Sequence, residues 1–271
     1  MEKIGLIAGR GMFPILFCQE ARKAGVKQIS VVGFHEDTSP EIKQYCDTFD
    51  LVYVGQLKKT IKAFKKHGID KIAMAGQVKP GRLFKGMKPD LKTFMILATL
   101  KERNADSIFS AICNAYAKSG IEVISSVTFM EDHLSTAGVM NKVKLNKSRR
   151  KDIEFGEKIA TDISRLDIGQ TCVVKRGTVL SVEGFEGTDK AIKRGGELGR
   201  GGVTVVKVAK PNHDMRFDVP CIGLRTVESL KEAGAITLAV QTGKTLFIEK
   251  EKVLEECNKA KICVVGIDGP E

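Results

Sequence analysis

The residues with the most varied chemistry lie in one run, Lys210-Pro211-Asn212-His213-Asp214-Met215-Arg216-Phe217-Asp218-Val219-Pro220. Asp214 and Asp218 are hard oxygen donors of the kind Mg²⁺ takes, while Lys210 and Arg216 suit phosphate oxygens. A site that needs both a metal and a bound pyrophosphate would use this mixture. Two prolines stiffen the run, which a mere connector does not require. The competing reading is a surface loop whose ions only pair with one another, worth under ~1 kcal/mol. His213 carries less weight, because a lone loop histidine is more often solvated than catalytic. On an extended chain the two carboxylates stand roughly 13 Å apart. They approach one metal only if Met215-Arg216-Phe217 form a turn. With the turn, one carboxylate holds Mg²⁺ and the other orients the attacking water, with Lys210 and Arg216 on the pyrophosphate oxygens. Without it, one of the two is catalytic and the other pairs with Arg216.

Three further segments are candidates. Gly9-Arg10-Gly11-Met12-Phe13-Pro14 follows an apolar strand and opens a helix, the setting of a phosphate-binding turn. Position 14 is Pro where a dinucleotide fingerprint has its third glycine, which leaves a tight strand-to-helix turn as the alternative. Ala75-Gly76-Gln77-Val78-Lys79-Pro80 sits at a strand C-terminus, where open α/β sheets bind ligands. Glu183-Gly184-Phe185-Glu186-Gly187-Thr188-Asp189 places three acids and a hydroxyl at a strand end, where Thr188 either caps the next helix or meets substrate. No Ser-His-Asp arrangement, HExxH or GxxxxGK[ST] is present, against acyl transfer, zinc hydrolysis and P-loop chemistry.

Those segments need elements to position them. Apolar strands at 3–8, 28–33, 51–54, 71–75 and 122–126 alternate with helices at 14–24, 57–67, 91–103 and 105–118, which implies a parallel sheet covered on both faces. Beyond about residue 135 the pattern changes. A helix at 151–166, a hairpin of 171–175 and 179–183 about Arg176-Gly177-Thr178, a helix after Asp189 and a strand at 203–209 follow. A helix capped by Thr226, strands at 235–241 and 245–249 about Thr242-Gly243-Lys244, a helix to 260 and a strand at 262–266 complete an α+β half. The expected domains are 1–138 and 139–271, with 210–220 in the second.

The whole chain, 271 residues with 44 Lys+Arg against 33 Asp+Glu, is net +11, and the excess is clustered. Residues 142–151 hold Lys142, Lys144, Lys147, Arg149, Arg150 and Lys151 and no acid; Lys58, Lys59, Lys62, Lys65 and Lys66 repeat the theme on a helix. Such surfaces attract phosphates of nucleic acid, anionic lipid or nucleotide, or are simply solvated. Nucleic acid is not expected as a partner, since three Tyr and no Trp leave little for stacking. Seven cysteines without CxxC indicate neither a disulfide framework nor a zinc site, and read as small core residues. No window approaches the ~20 apolar residues of a membrane span, and the short N-terminal strand is no signal peptide, so a cytosolic chain is expected.

Taken together, Gly5-Leu6-Ile7-Ala8-Gly9-Arg10-Gly11-Met12-Phe13-Pro14, Ala75-Gly76-Gln77-Val78, Asp152-Ile153-Glu154-Phe155-Gly156, Val182 to Asp189, Val206 to Pro220 and Gly223-Leu224-Arg225-Thr226-Val227-Glu228 resemble one family, in the right order over nearly the whole chain. It is the LpxI-type UDP-2,3-diacylglucosamine pyrophosphatases of lipid A biosynthesis. His213 and Asn104-Ala105-Asp106-Ser107 depart from its pattern, where Gln and a Gly-Asp-Asp-like stretch are expected.

The resemblance implies a Rossmann-like N-terminal domain, an α+β C-terminal domain and a substrate between them. It implies Mg²⁺-dependent hydrolysis (Mn²⁺ as substitute) of UDP-2,3-diacylglucosamine to UMP and 2,3-diacylglucosamine 1-phosphate. Asp214, Asp218 and Lys210 are the expected catalytic residues, with the metal on Asp214 and Asp218. Gly9, Arg10, Gly11, Gly76, Gln77, Lys79, Asp106, Glu183, Gly184, Thr188, Asp189, Arg216 and Arg225 are the expected substrate contacts. A lipid-linked substrate gives the basic surface a purpose at an anionic leaflet, which places the protein peripherally on the inner membrane, with a second copy as a candidate partner. The rival readings are an NAD(P)-dependent oxidoreductase built on the first domain and a non-enzymatic nucleotide-binding protein.

Overall fold

Strands that are apolar along their whole length need cover on both faces, and the N-terminal half provides it. The computed structural model describes residues 1–78, 89–100, 104–210 and 214–268, apart from the side chains of residues 105 and 106. Two compact units emerge from the packing: Met1–Met130 with Asp214–Asp218, and Glu131–His213 with Val219–Glu271.

In unit 1, β1 (Lys3–Ala8), β2 (Gln28–Phe34), β3 (Thr48–Val52), β4 (Lys71–Ala75) and β5 (Glu122–Val123) form a sheet in the order β3-β2-β1-β4-β5, parallel at every pairing. Helices α1 (Phe13–Lys23), α2 (Leu57–Lys66), α3 (Leu91–Thr99) and α4 (Ala105–Ala117) connect and cover it. Ile7, Val32, Phe64, Ile72 and Tyr116 form one buried core. The strand order reverses between β1 and β4, so the loops leaving those two strands flank the place where open parallel sheets take ligands. The strand expected at 51–54 is observed at Thr48–Val52, and the one expected at 122–126 pairs only at Glu122–Val123. Ser126 there leaves the ladder to bond elsewhere.

Unit 2 contains β6 (Gly138–Val139), α5 (Lys147–Arg165), β7 (Thr171–Lys175), β8 (Thr178–Val182), α6 (Thr188–Gly199), β9 (Val203–Lys207), β10 (Cys221–Ile222), α7 (Leu224–Glu232), β11 (Ala235–Gln241), β12 (Leu246–Phe247), α8 (Lys250–Lys259) and β13 (Cys263–Ile267). Its main sheet runs β6-β13-β11-β9-β7-β8, with β9, β11 and β13 parallel and antiparallel strands at either side. Side chains alternate between faces as the pleat requires. Val173, Val205, Leu238, Val240 and Val264 join the core that includes Ile192, Val227 and Val253 of α6, α7 and α8. Cys172, Val174, Val206, Ala239 and Val265 pack with Ile153 and Ala160 of α5.

Several local expectations shift for identifiable reasons. Helix α5 begins at Lys147, because Asn146 caps it by accepting from the Arg149 N–H. The β7–β8 turn is two residues, since Arg176 and Gly177 both take positive φ (49° and 71°) and fit a tight hairpin. Asp152 fastens it, accepting from Arg176 N at 3.1 Å and Gly177 N at 2.9 Å. Helix α7 is capped by Gly223, and Thr226 lies inside it. Strand β12 pairs with β10, so 235–241 and 245–249 do not make a hairpin. Five of the seven cysteines are buried and all are unpaired. Burial pushes the Cys113 thiol up to about 11 and that of Cys172 to about 12, as expected of core residues. Among the described residues no helix is long and apolar enough to cross a membrane.

Candidate functional site

The glycine turn after β1 and the glycine after β4 are brought together. Arg10 and Gln77 form an antiparallel bridge, with Arg10 N donating to Gln77 O at 2.8 Å and Gln77 N to Arg10 O at 3.2 Å. Gly9 N donates to Ala75 O at 2.8 Å. A Cβ on Gly9 would lie 2.6 Å from Gln77 O, and one on Gly76 would lie 2.7 Å from Arg10 O. Both glycines are therefore demanded by the approach of two loops. The amides of Gly9 and Arg10 are spent on that junction, which removes them from the phosphate cradle of a dinucleotide fold. Lys79 lies outside the described residues. Asp106 falls in the first turn of α4, behind the Asn104 cap that accepts from Ser107 N at 2.9 Å, and its side chain lies outside the description.

The segment 214–218 packs in unit 1, although the sequence reading grouped it with the second domain. Two anchors hold it. Phe217 stacks on Phe109 of α4, with ring centroids 5.3 Å apart, and rests against the unit 1 core. Ser126 N donates to Met215 O at 2.8 Å, while its hydroxyl lies 2.5 Å from Met74 O and 2.7 Å from Arg216 O. Met74 is in β4, one strand residue before Ala75 and Gly76, so the segment is held at the end of the sheet that carries the glycine junction.

Within the segment a turn does form. Phe217 N and Asp218 N both donate to Asp214 O, at 3.0 and 2.8 Å. Asp214 grips Arg216: its Oδ1 accepts from Arg216 N at 3.0 Å and Nε at 2.9 Å, and its Oδ2 accepts from the terminal guanidinium nitrogen at 2.6 Å. The hydrogen bond to Asp214 raises the Arg216 pKa further. The turn thus presents a guanidinium fixed by one carboxylate, with the half-buried Asp218 closing it.

The unit 2 candidates form a separate group. Glu183, at the end of β8, is buried and accepts from Thr188 Oγ1 at 2.8 Å. The same hydroxyl accepts from the buried Lys207 Nζ at 2.8 Å. Thr188 is therefore no cap; Gly187 holds that position without a side-chain bond, and the hydroxyl links a buried acid to a buried base. Asp189, in the first turn of α6, pairs with Arg225 Nε at 2.9 Å. Glu186 accepts from Gly184 N at 3.1 Å and from Arg194 at 2.5 Å, and the Arg194 bond lowers its carboxyl pKa. Lys210 rests on Asp167 at 2.5 Å, within unit 2.

Lys207, Ser126 and Asp167 were not singled out from sequence. Lys207 had a signal, a cation ending the otherwise apolar strand Val203-Thr204-Val205-Val206. The other two are long-range partners that no local pattern marks. Lys207→Met should lower stability by about 1–3 kcal/mol, because it takes the Nζ donor from the part-buried Thr188 hydroxyl that bonds the buried Glu183. Adding Glu183→Gln should return part of that loss in denaturant midpoint. Strict additivity of the two changes would show that the chain of bonds does not couple them.

Among the described residues no three His, Cys, Asp or Glu side chains converge to hold an ion. A resident cage of protein ligands does not fit. Mg²⁺ commonly keeps its waters and takes one or two carboxylates beside substrate phosphates; in the turn both Asp214 oxygens already accept from Arg216, so Asp218 is the carboxylate that would hold such an ion.

Comparison with known proteins gives a consistent result. The LpxI N-terminal domain matches residues 3–133, and the LpxI C-terminal domain matches residues 136–265. A protein of Caulobacter vibrioides named UDP-2,3-diacylglucosamine pyrophosphatase LpxI is 30% identical over 284 residues, covering 100% of this chain and 99% of that one. Among solved structures, the biotin carboxylase domain of Hydrogenobacter thermophilus 2-oxoglutarate carboxylase aligns over 65% of this chain and 35% of its own (TM-score 0.28, 10% identity). N5-carboxyaminoimidazole ribonucleotide synthetase from Thermotoga maritima aligns over 70% and 43% (TM-score 0.25, 16% identity). At those scores neither bears on fold or activity. With both domains matched in order and a relative similar from end to end, the chain belongs to the LpxI family.

Proposed function

We propose that this chain hydrolyses the pyrophosphate bond of UDP-2,3-diacylglucosamine to UMP and 2,3-diacylglucosamine 1-phosphate, a step of lipid A biosynthesis, with Mg²⁺ or Mn²⁺ as cofactor. It is an enzyme of the LpxI family, a hydrolase acting on a diphosphate bond. The observation that supports the reading best is the Asp214–Asp218 turn, in which the Asp214 carboxylate fixes the Arg216 guanidinium at the ligand-binding end of a parallel sheet.

Pyrophosphate hydrolysis needs negative charge balanced while water attacks phosphorus. Arg216, oriented by Asp214, offers planar donors for phosphate oxygens. In this reading Asp218 holds and orients the water, whose proton it accepts as the oxygen bonds to phosphorus. The bridging oxygen leaves with the other phosphate. A divalent ion on Asp218 would supply further charge neutralisation. Lys210, Arg10, Gln77 and the Glu183–Asp189 segment are the remaining substrate contacts of the proposal, and the protein works in the cytoplasm, peripherally on the inner membrane.

The test is incubation of the purified chain with UDP-2,3-diacylglucosamine in mixed micelles while UMP is followed. UMP should form with Mg²⁺, stop on EDTA and return when Mg²⁺ or Mn²⁺ is added in excess. Full turnover after exhaustive chelation would remove the metal from the proposal. Absence of UMP under every condition would remove the reaction.

A further inference from the structure

Helix α3 turns an unusual face outward. Thr93 is buried and Ile96 packs on the unit 1 core, while Leu91, Phe94 and Met95 are 75%, 61% and 59% exposed and Ala98 is exposed beside them. Positions 91, 94, 95 and 98 follow the i, i+3, i+4, i+7 spacing of one helical stripe. Large apolar side chains left in water as a contiguous stripe mark a surface that meets something.

What it meets is indicated by its neighbour. Helix α2 buries Leu57, Thr60, Ile61 and Phe64 and exposes Lys58, Lys59, Lys62, Lys65 and Lys66. None of these five lysines makes an ion pair among the described residues. Neither helix contains an acid. The two are joined at their N-termini by one carboxylate: Asp90 caps α3 by accepting from Thr93 N at 2.9 Å, and its other oxygen accepts from Lys58 N at 2.6 Å. Thr93 Oγ1 adds a bond to Gly55 O at 2.6 Å. Asp90 and Thr93 therefore fasten the start of α2, where Lys58 and Lys59 lie, to the start of α3, where the apolar stripe begins.

We propose that α2 and α3 of unit 1 form a docking face for an anionic lipid bilayer, the lysines meeting headgroups and the α3 stripe entering the acyl boundary. Interfacial binding by a helix face grows with both terms, apolar area and attraction to anionic lipid. The 142–151 segment has only the second. Its cations lie just before α5 and in its first turns; the helix buries Asp152, Ile153 and Gly156 and adds no comparable exposed apolar stripe there. The inference deepens the membrane association proposed above and needs no substrate, so a failure of UMP release leaves it standing.

The test is flotation of the full chain with vesicles of phosphatidylethanolamine and phosphatidylglycerol, against phosphatidylcholine as the uncharged control. Binding should favour the anionic vesicles and fall as salt rises. Lys58→Gln/Lys62→Gln/Lys65→Gln and, separately, Phe94→Ser/Met95→Ser should each weaken it by about tenfold or more, since one lysine at such a surface is worth roughly fivefold. All five positions are exposed, so melting curves should stay near the parent's, and the two variants lie on different helices, so a folding failure in one leaves the other to decide. Unchanged binding in a folded variant overturns the proposal. So does loss confined to a variant neutralised at Lys147, Arg149, Arg150 and Lys151. Phe94→Ser/Met95→Ser that dissociates a dimer in sedimentation while binding vesicles normally would assign the stripe to a second copy instead.

Discussion

Asp214→Asn and Asp218→Asn should fold like the parent, and at least one should lose turnover of UDP-2,3-diacylglucosamine by about two to four orders of magnitude. Folding survives because the Asp214–Arg216 pair is part-exposed, with side chains 28% and 38% accessible, a setting in which an ion pair contributes under ~1 kcal/mol. The turn itself is closed by the Asp214 carbonyl, which the substitution keeps. The two variants should differ in kind. Asparagine at 214 retains one acceptor oxygen for the Arg216 N–H but loses the charged grip on the guanidinium, so Arg216→Lys should reproduce much of its defect. Asparagine at 218 leaves Arg216 in place and removes the group proposed to take the proton of water. Its loss should therefore lie in kcat, with KM near the parent's. Near-normal turnover in both single variants would take this turn out of the chemistry and direct attention to Glu183, Glu186 and Asp189.

The second large effect is expected at Gly76. Its φ is +89°, and an added Cβ would stand 2.7 Å from Arg10 O and 2.9 Å from Pro14 Cγ, so backbone strain and overpacking act together. Each costs on the order of 1–3 kcal/mol. Gly76→Ala should thus lower stability by about 2–5 kcal/mol, read as denaturant midpoint. Gly11→Ala is the control, because Gly11 also has positive φ (+94°) but its Cβ would meet nothing within 4 Å. That change should cost about 1 kcal/mol from backbone conformation alone. Equal losses in the two variants would show that positive φ, and not the meeting of the two loops, is what requires glycine.

The comparison of sequence with structure is uneven in an instructive way. Apolar runs bounded by glycine located β1 and β4 to the residue, because continuous burial on both faces leaves a local trace. The 214–218 residues were legible as types, two acids around an arginine, and the condition that they must turn was legible from spacing. Their surroundings were not. Ser126 reaches Arg216 O across 90 positions and Lys210 reaches Asp167 across 43, and no local pattern encodes such pairings. The role of Thr188 was misleading for a related reason. A hydroxyl before a helix is the usual cap, yet here Lys207, from a later strand, claims it.

The return of 214–218 to unit 1 also orders events on the ribosome. The sheet of unit 1 has all five strands by Val123, but the ring that stacks on Phe109 and the carbonyls that bond Ser126 are not yet synthesised. At about 5–20 residues per second that delay lasts several seconds, during which the nascent N-terminal half carries an uncovered aromatic side chain and an unmet polar group. Completion of the first unit must wait until residues 131–213 of the second have been made. The turn proposed for catalysis is therefore the last part of its own unit to be made, so a chain that stalls or is cut before it can hold its first sheet and still lack its chemistry.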